Sequence, residues 1–344
     1  MAASMRLSSV RLRKLNDKTV KKTAVLYHYP CPDGAFAALA AHLYFSAASI
    51  PALFFPNPVY CPITLDQLPL HELSHVYLLD FVGPTGFLHQ LSSKLHRVVV
   101  LDHHKTALEM FQTSFGDNVS RIIDMDRSGA TIAYDYFKQK LSRFADVDHS
   151  RRVISEFVRL KPLFDYIEDG DLWRWRLEDS KAFSSGLKDF NIEFSVHLNP
   201  SLFDQLLSLD LKSIIDQGML SLSTKQKLID EALDQSFEIA LGGGAFGNCL
   251  AANADSISEL RSELGHQLAA KSCNLNLRGI GAVVYSVPEL ENDQLLKISL
   301  RSLDDEDTIP ISQEFGGGGH QNASSFIISI EEFHRWKVNR HTLL

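Results

Sequence analysis

Short apolar runs alternate with stretches of helical periodicity along the first half of the chain. Thr23–Tyr29 (TAVLYHY) is rich in strand formers and runs into the turn cluster PCPDG. Ala35–Phe45 then reads as a helix with Ala and Leu on several faces, which predicts a buried one. Val76–Phe81 is a second strand, followed by a helix over Phe87–Leu95. Arg97–Leu101 (RVVVL) is an unbroken apolar strand, Arg121–Asp124 another short one, and Ser128–Leu141 a helix. Apolar strands alternating with helices predict an α/β fold with a parallel sheet covered on both faces.

The second half has a different grain. Residues 151–190 read as helical and contain the polar-aromatic stretch YIEDGDLW, Tyr166–Trp173. Residues 191–240 have helical periodicity with few breakers and read as a helical connection between domains. Gly242-Gly243-Gly244 reads as a linker rather than a phosphate loop. A helix around Ser256–Ala270 follows, then strands over Ile280–Ser286, Leu295–Leu300 and Ser325–Ile330, with a glycine run at 316–319. The expected layout is a basic tail over 1–21, a parallel-sheet domain over 22–190, the connection over 191–240 and a smaller α/β domain over 241–335. A length of 344 residues suits two domains.

Composition narrows the class. Hydrophobic residues make up 45% and charged residues 22%, which excludes disordered and fibrous chains. The four Cys (Cys31, Cys61, Cys249, Cys273) form no CxxC pair, which argues against a disulfide framework and a Cys-built zinc site. No apolar run approaches the ~18–20 residues of a membrane-spanning helix. The net charge is −8, yet residues 1–25 hold seven Lys/Arg against one acid, so the remaining chain carries −14. An acidic body disfavours long duplex nucleic acid, whose phosphates need basic surface. The basic, Ser-bearing start is either a solvated tail, with a cytoplasmic protein, or a transit segment to a chloroplast or mitochondrion.

Chemistry gathers at the predicted strand ends. His28 and Asp33 flank the turn after the first strand, Asp80 ends VYLLD, and Asp102-His103-His104 directly follows RVVVL. Ligands of open α/β sheets bind beyond the carboxyl ends of strands, so these segments are expected to converge on one crevice. A buried Asp is costly unless it is paired, hydrogen-bonded or bound to metal. Mixed His and carboxylate donors suit a hard divalent ion: manganese, magnesium or cobalt. Several carboxylates in one crevice point to two ions ~3.5–4 Å apart, the clamp of phosphoester hydrolysis. Asp124 competes as a nearby carboxylate, although Asp124 or Asp126 reads better as a loop-shaping residue before the helix. The start of that helix, Ser128-Gly129-Ala130-Thr131, reads as a cap first and an anion holder second.

With Gly316–Gly319 and His320 near the end, these motifs resemble the DHH phosphoesterase superfamily over roughly residues 22–330, with a DHH-associated C-terminal domain. The resemblance implies His28, Asp33, Asp80 and His103 as metal ligands, with Asp80 bridging two Mn2+. It implies that Asp102 orients the site and that His104 meets substrate phosphate or donates a proton. Asp169 falls on the fourth metal motif, with Asp171 the competing candidate. Arg301, Gly317, Gly318, Gly319 and His320 would grip the substrate across an interdomain active-site cleft, and Asn322 stands beside them. Trp173 and Trp175 read as core packing near the site rather than base-stacking platforms.

One departure stands out. Cys31 occupies the place where the first motif usually has an Asp. It either supplies a thiolate, leaves that position weak or water-filled, or is simply a small buried residue. The resulting expectation is a metal-dependent phosphodiesterase acting on a small nucleotide or short oligonucleotide. Pyrophosphate or polyphosphate hydrolysis is the alternative within the same chemistry, and a nucleotide sensor with one metal or none is the alternative outside it. A phosphotransferase lacks a Walker pattern. Oligomeric state is not legible in the sequence.

Overall fold

The computed structural model describes residues 21–112, 115–143, 147–288 and 291–338. The basic start, with the transit reading attached to it, lies outside the described residues up to position 20. The chain divides into two compact units, Met1–Met219 and Leu220–Leu344.

The first unit has five strands: β1 (Lys22–Tyr29), β2 (Ala52–Pro58), β3 (Leu73–Leu79), β4 (Arg97–Asp102) and β5 (Val119–Ile123). Its helices are α1 (Pro32–Ala47), α2 (Phe87–Lys94), α3 (Lys105–Met110), α4 (Gly129–Leu141), α5 (Val147–Asp171), α6 (Ser180–Asp189) and α7 (Leu202–Leu207). The strands form one sheet in the order β2-β1-β3-β4-β5, every neighbouring pair parallel. The order reverses between β1 and β3, and such a reversal opens a crevice at the strand ends.

Strand alternation feeds two cores. Val25, Tyr27, Tyr77, Leu79, Val99 and Leu101 pack on one face with α1, α4 and α5. Ala24, Leu26, Val76, Leu78, Val98 and Val100 pack on the other with α2 and α3. Burial on both faces is why these strands read as continuous apolar runs. Helix α1 is buried all round from Ala35 to Ala41, as its Ala-rich composition predicts. Strand β2 escapes a sequence reading because Pro56 and Pro58 break its pattern; it is tolerated at the sheet edge, where donors are dispensable.

Helix α8 (Leu211–Asp234) contains the division between the units. The second unit has β6 (Phe237–Ala240), β7 (Asn248–Asn253), α9 (Arg261–Asn274), β8 (Ile280–Tyr285), β9 (Leu295–Ser302), α10 (Ile309–Glu314), β10 (Gly318–His320), β11 (Ala323–Ser329) and α11 (Ile330–Trp336). Its sheet runs β10-β11-β9-β8-β7-β6, antiparallel except for β7 with β8. Phe237–Ala240 is thus a strand rather than the tail of a helical connection. Gly242–Gly244 is not a linker but part of the β6–β7 turn. All three glycines there have positive φ, and Leu241 N–H donates to the Gly247 carbonyl to close it.

Candidate metal centre

The ends of β1, β3 and β4 and the start of α1 put their polar side chains together. His28 ends β1's apolar run and Asp33 sits in the first turn of α1. The turn between them is so tight that a Cβ on Gly34 would lie 2.2 Å from the His28 carbonyl oxygen. Asp33 is buried, and its carboxylate accepts the N–H groups of Gly129 (2.7 Å) and Ala130 (3.0 Å). Those are the first residues of α4, where free N–H groups and the helix dipole favour an anion. The helix start is also capped, since Ser128 Oγ accepts from Thr131 N–H. The anion at this helix is the chain's own Asp33.

Asp80 follows β3 with φ +64°, a left-handed conformation that a non-glycine residue adopts at a cost of roughly 1–3 kcal/mol. This geometry turns its carboxylate into the crevice. His28 Nδ1 is 3.0 Å from Asp80 Oδ2, and His103 Nε2 is 3.1 Å from Asp80 Oδ1. The latter contact lacks hydrogen-bond geometry, so Asp80 Oδ1 is buried without a hydrogen-bond partner. Backbone packs against this carboxylate too. A Cβ on Gly129 would lie 2.6 Å from Asp80 Cβ and 2.9 Å from Asp33 Oδ2. Only glycine lets the helix start approach both acids.

At the end of β4, Asp102 Oδ1 accepts from the backbone N–H groups of His103 and His104 and lies 2.8 Å from His104 Nδ1. Its Oδ2 is buried and unpartnered. His103 Nε2 also reaches Asp171 Oδ2 (3.5 Å) and Asp33 Oδ2 (3.7 Å). Three donor groups result: His28 with Cys31 and Asp80; Asp80 with His103 and His104; Asp33 with His103 and Asp171. Within each, the ligand atoms lie within 4.8 Å of one another.

Of the two fourth-motif candidates, the structure brings in Asp171 and not Asp169. The Asp169 carboxylate accepts N–H groups from Arg176 and Leu177, so it holds the loop after α5 instead of facing the crevice. The loop also changes one other expectation. Trp173 is 78% exposed, not core, and meets half-buried Trp175 edge to face. Arg174 is structural, bound to Glu168 and to the Asp126 carbonyl. Asp124 stays out of the cluster and accepts from Asp126 N–H, shaping the loop.

The electrostatics ask for a cation. Burial, then the charges of Asp80 and Asp171, push the Asp33 carboxyl well above its usual range. Burial and Asp80 push Asp171 up as well. Burial would raise Asp80 too, but the His103 and His28 rings outweigh it and hold the group at about 2. Burial, then Asp80 and Asp33, push the Cys31 thiol up, so without a cation it stays protonated. The hydrogen bond to Asp102 raises His104 to about 9. Crowded carboxylates, an orphaned buried oxygen and two neutralising His rings are a donor set that fits divalent metal.

In the second unit, the register puts His320 opposite Ala323 and Ala323 opposite Arg301. Residues aligned in this way share one face of the sheet. Gly318, Gly319 and His320 are exposed and Gly317 is half-buried. Arg301 donates to Ser262 Oγ and to the Leu300 carbonyl and has no carboxylate partner among the described residues. Asn322 is spent on structure, donating to Ser302, Leu303 and Glu306.

The sequence offered the start Ser128-Gly129-Ala130-Thr131 as an anion holder only second to a cap, and Cys31 as a thiolate donor only among three readings. It did not show that the anion is Asp33 or that Cys31 groups with His28 and Asp80.

No protein-family model matches the chain. An uncharacterized protein of Acanthamoeba polyphaga mimivirus is 26% identical over 321 residues, covering 89% of this chain and 67% of that one. Among solved structures, an exopolyphosphatase-related protein from Bacteroides fragilis covers 93% of this chain and 91% of its own at 14% identity and a TM-score of 0.35. The pGpG-specific phosphodiesterase PggH from Vibrio cholerae covers 92% and 96% at 13% identity and a TM-score of 0.41. The exonuclease RecJ bound to manganese covers 92% and 88% at 13% identity and a TM-score of 0.38. At these scores the likenesses carry no weight for function. The residues that carried the resemblance in sequence, His28, Asp33, Asp80 and Asp102-His103-His104, are gathered in one crevice with Asp171.

Proposed function

We propose that the protein is a metal-dependent phosphoesterase that hydrolyses a small nucleotide or a short oligonucleotide. The observation that carries this reading is the buried Asp80 carboxylate, whose Oδ1 has no hydrogen bond, shared between the donor groups His28-Cys31-Asp80 and Asp80-His103-His104, with Asp33 and Asp171 joined to them through His103. Asp33, Asp80, His103 and Asp171 would hold one divalent ion, with donors suited to Mn2+ or Mg2+. His28 and Asp80 would hold a second, with Cys31 as its third side chain. When bound, such ions polarise a phosphoryl oxygen and furnish a nucleophilic water at neutral pH.

The chain's own groups do the rest. Asp80 would serve both positions, and its backbone strain is the cost of aiming it there. Asp102 fixes the His104 ring through Nδ1, which leaves Nε2 to donate. The Asp102 hydrogen bond, which raises His104 to about 9, favours its protonated ring. His104 is 44% exposed at the crevice, suited to binding a phosphate oxygen or protonating the leaving oxygen. On the second unit, Arg301 and His320 share one sheet face beside the glycine strand, and we assign them to holding substrate phosphate. The test is hydrolysis of a dinucleotide, a nucleotide bisphosphate and pyrophosphate in Mn2+ by wild type and Asp80→Asn. Turnover lost in the variant supports the reading; equal turnover overturns it.

A further inference from the structure

A cavity of about 840 Å³ opens beside His28, Asp80, Asp102 and His104 and is lined wholly by the first unit. Its size lies within the ~300–1,000 Å³ of small-molecule sites. Its wall includes Val59, Val82, Leu88, Met110 and Phe115, the last stacked on His89 at 4.4 Å. No Lys or Arg lines it, whereas Glu109 does. His28 and His104 can meet a phosphate only at the end beside the metal-ligand cluster; an inorganic polyphosphate chain running on toward Val59, Met110 and Phe115 would lie on apolar surface. A flat ring with apolar faces and a polar edge is the complementary occupant.

Asn57 supplies the matching polar contact. It is 6% exposed, and its Oδ1 accepts the Ile63 N–H at 2.9 Å. Its Nδ2 donates to no protein group among the described residues. Strand register sets Asn57 beside His28, so this donor sits next to the metal-ligand cluster. We propose that this cavity receives a nucleobase of the substrate, with Asn57 Nδ2 donating to the base edge and the Val59, Met110 and Phe115 side chains covering its faces. This rests on the phosphoesterase reading and restricts it to nucleotide esters over inorganic pyrophosphate and polyphosphate.

The test uses the full chain. Hydrolysis of 5′-phosphorylated diadenylate and of pyrophosphate is measured in Mn2+, and binding of 2-aminopurine riboside 5′-monophosphate by fluorescence quenching in Mg2+. Val59→Trp fills the cavity from a position that is 53% exposed, and Met110→Ala removes a wall contact. Both variants are expected to raise the Michaelis constant for diadenylate about tenfold, with kcat and Mn2+ affinity retained. Quenching is expected in wild type and lost in Val59→Trp. Unchanged Michaelis constants with unchanged quenching overturn the assignment, as does a wild type that prefers pyrophosphate and gives no quenching. If no phosphoester is cleaved, the phosphoesterase reading fails, and quenching alone decides the cavity: its loss in Val59→Trp supports the base site, and its absence in wild type overturns it.

Discussion

At the scale of single residues, the centre is defined by where carboxylates can and cannot find partners. Asp80→Asn should reduce Mn2+ affinity by at least about tenfold, read by isothermal titration, because it removes the charge that both donor groups share. Asp171→Asn should weaken Mn2+ binding in the same experiment. Asp169→Asn should leave Mn2+ binding close to wild type and lower the melting temperature instead, since its carboxylate holds Arg176 and Leu177. The opposite pattern would restore Asp169 as the ligand. Gly129→Ala is the sharpest steric probe. Its methyl would meet Asp80 Cβ at 2.6 Å, so both stability and Mn2+ affinity should fall despite the better helix propensity of Ala. Much of this scale was legible in the sequence, because Asp and His at the ends of apolar strands have few other uses. The choice between Asp169 and Asp171 was not. The two are two residues apart at the end of one helix, and only the path of the following loop decides which faces the crevice.

At the scale of elements, polar ties fix loops that hydrophobic packing leaves free. In the second unit, Arg278 donates to both Glu306 oxygens, at 3.2 and 2.5 Å, and to the Phe246 carbonyl. It thereby joins the entry to β8, the β6–β7 turn and the loop after β9. The hydrogen bond to Arg278 holds the Glu306 carboxyl below its ordinary 4.5. A carboxyl depressed by folding stabilises the native state above its unfolded value, and that stability is lost as pH falls from about 4.5 through the folded value. Glu306→Gln should therefore cost about 1–2 kcal/mol near pH 7 and flatten the loss of stability below pH 4.5. Urea unfolding at several pH values checks this, and parallel pH profiles for variant and wild type would contradict it. The same scale shows where periodicity fails as a guide. Strand β2 hides behind its prolines, and β6 is too short, at four residues, to interrupt a helical pattern.

At the scale of the whole molecule, the acidic character has a partial destination. Asp33, Asp80 and Asp171 are crowded together at one sheet's strand ends, and their mutual repulsion is a standing cost in the absence of a cation. Mn2+ at about 100 times its dissociation constant should add roughly 2.7 kcal/mol to the stability of the structure that contains the site. Thermal melts should shift upward with Mn2+ concentration in wild type and not in Asp80→Asn. A shift of equal size in both would place the stabilising ions elsewhere. Among the described residues no helix is long and apolar enough to cross a membrane.

The sequence by itself determined the alternation of apolar strands and helices, the parallel sheet buried on both faces and the strand-end positions of His28, Asp80 and Asp102-His103-His104. It could do so because burial on both faces demands unbroken apolar runs, and because the chain reverses direction at strand ends where polar residues surface. Tertiary structure alone decided which acids meet. Asp33 is 96 residues from Gly129, and its anion is held by backbone N–H groups that carry no side-chain signature. Cys31 joins His28 and Asp80 only through the turn that folds it back on β1. The cavity beside His104 is built from residues 28 to 115, scattered over loops and strands whose spacing shows no pattern until the sheet aligns them.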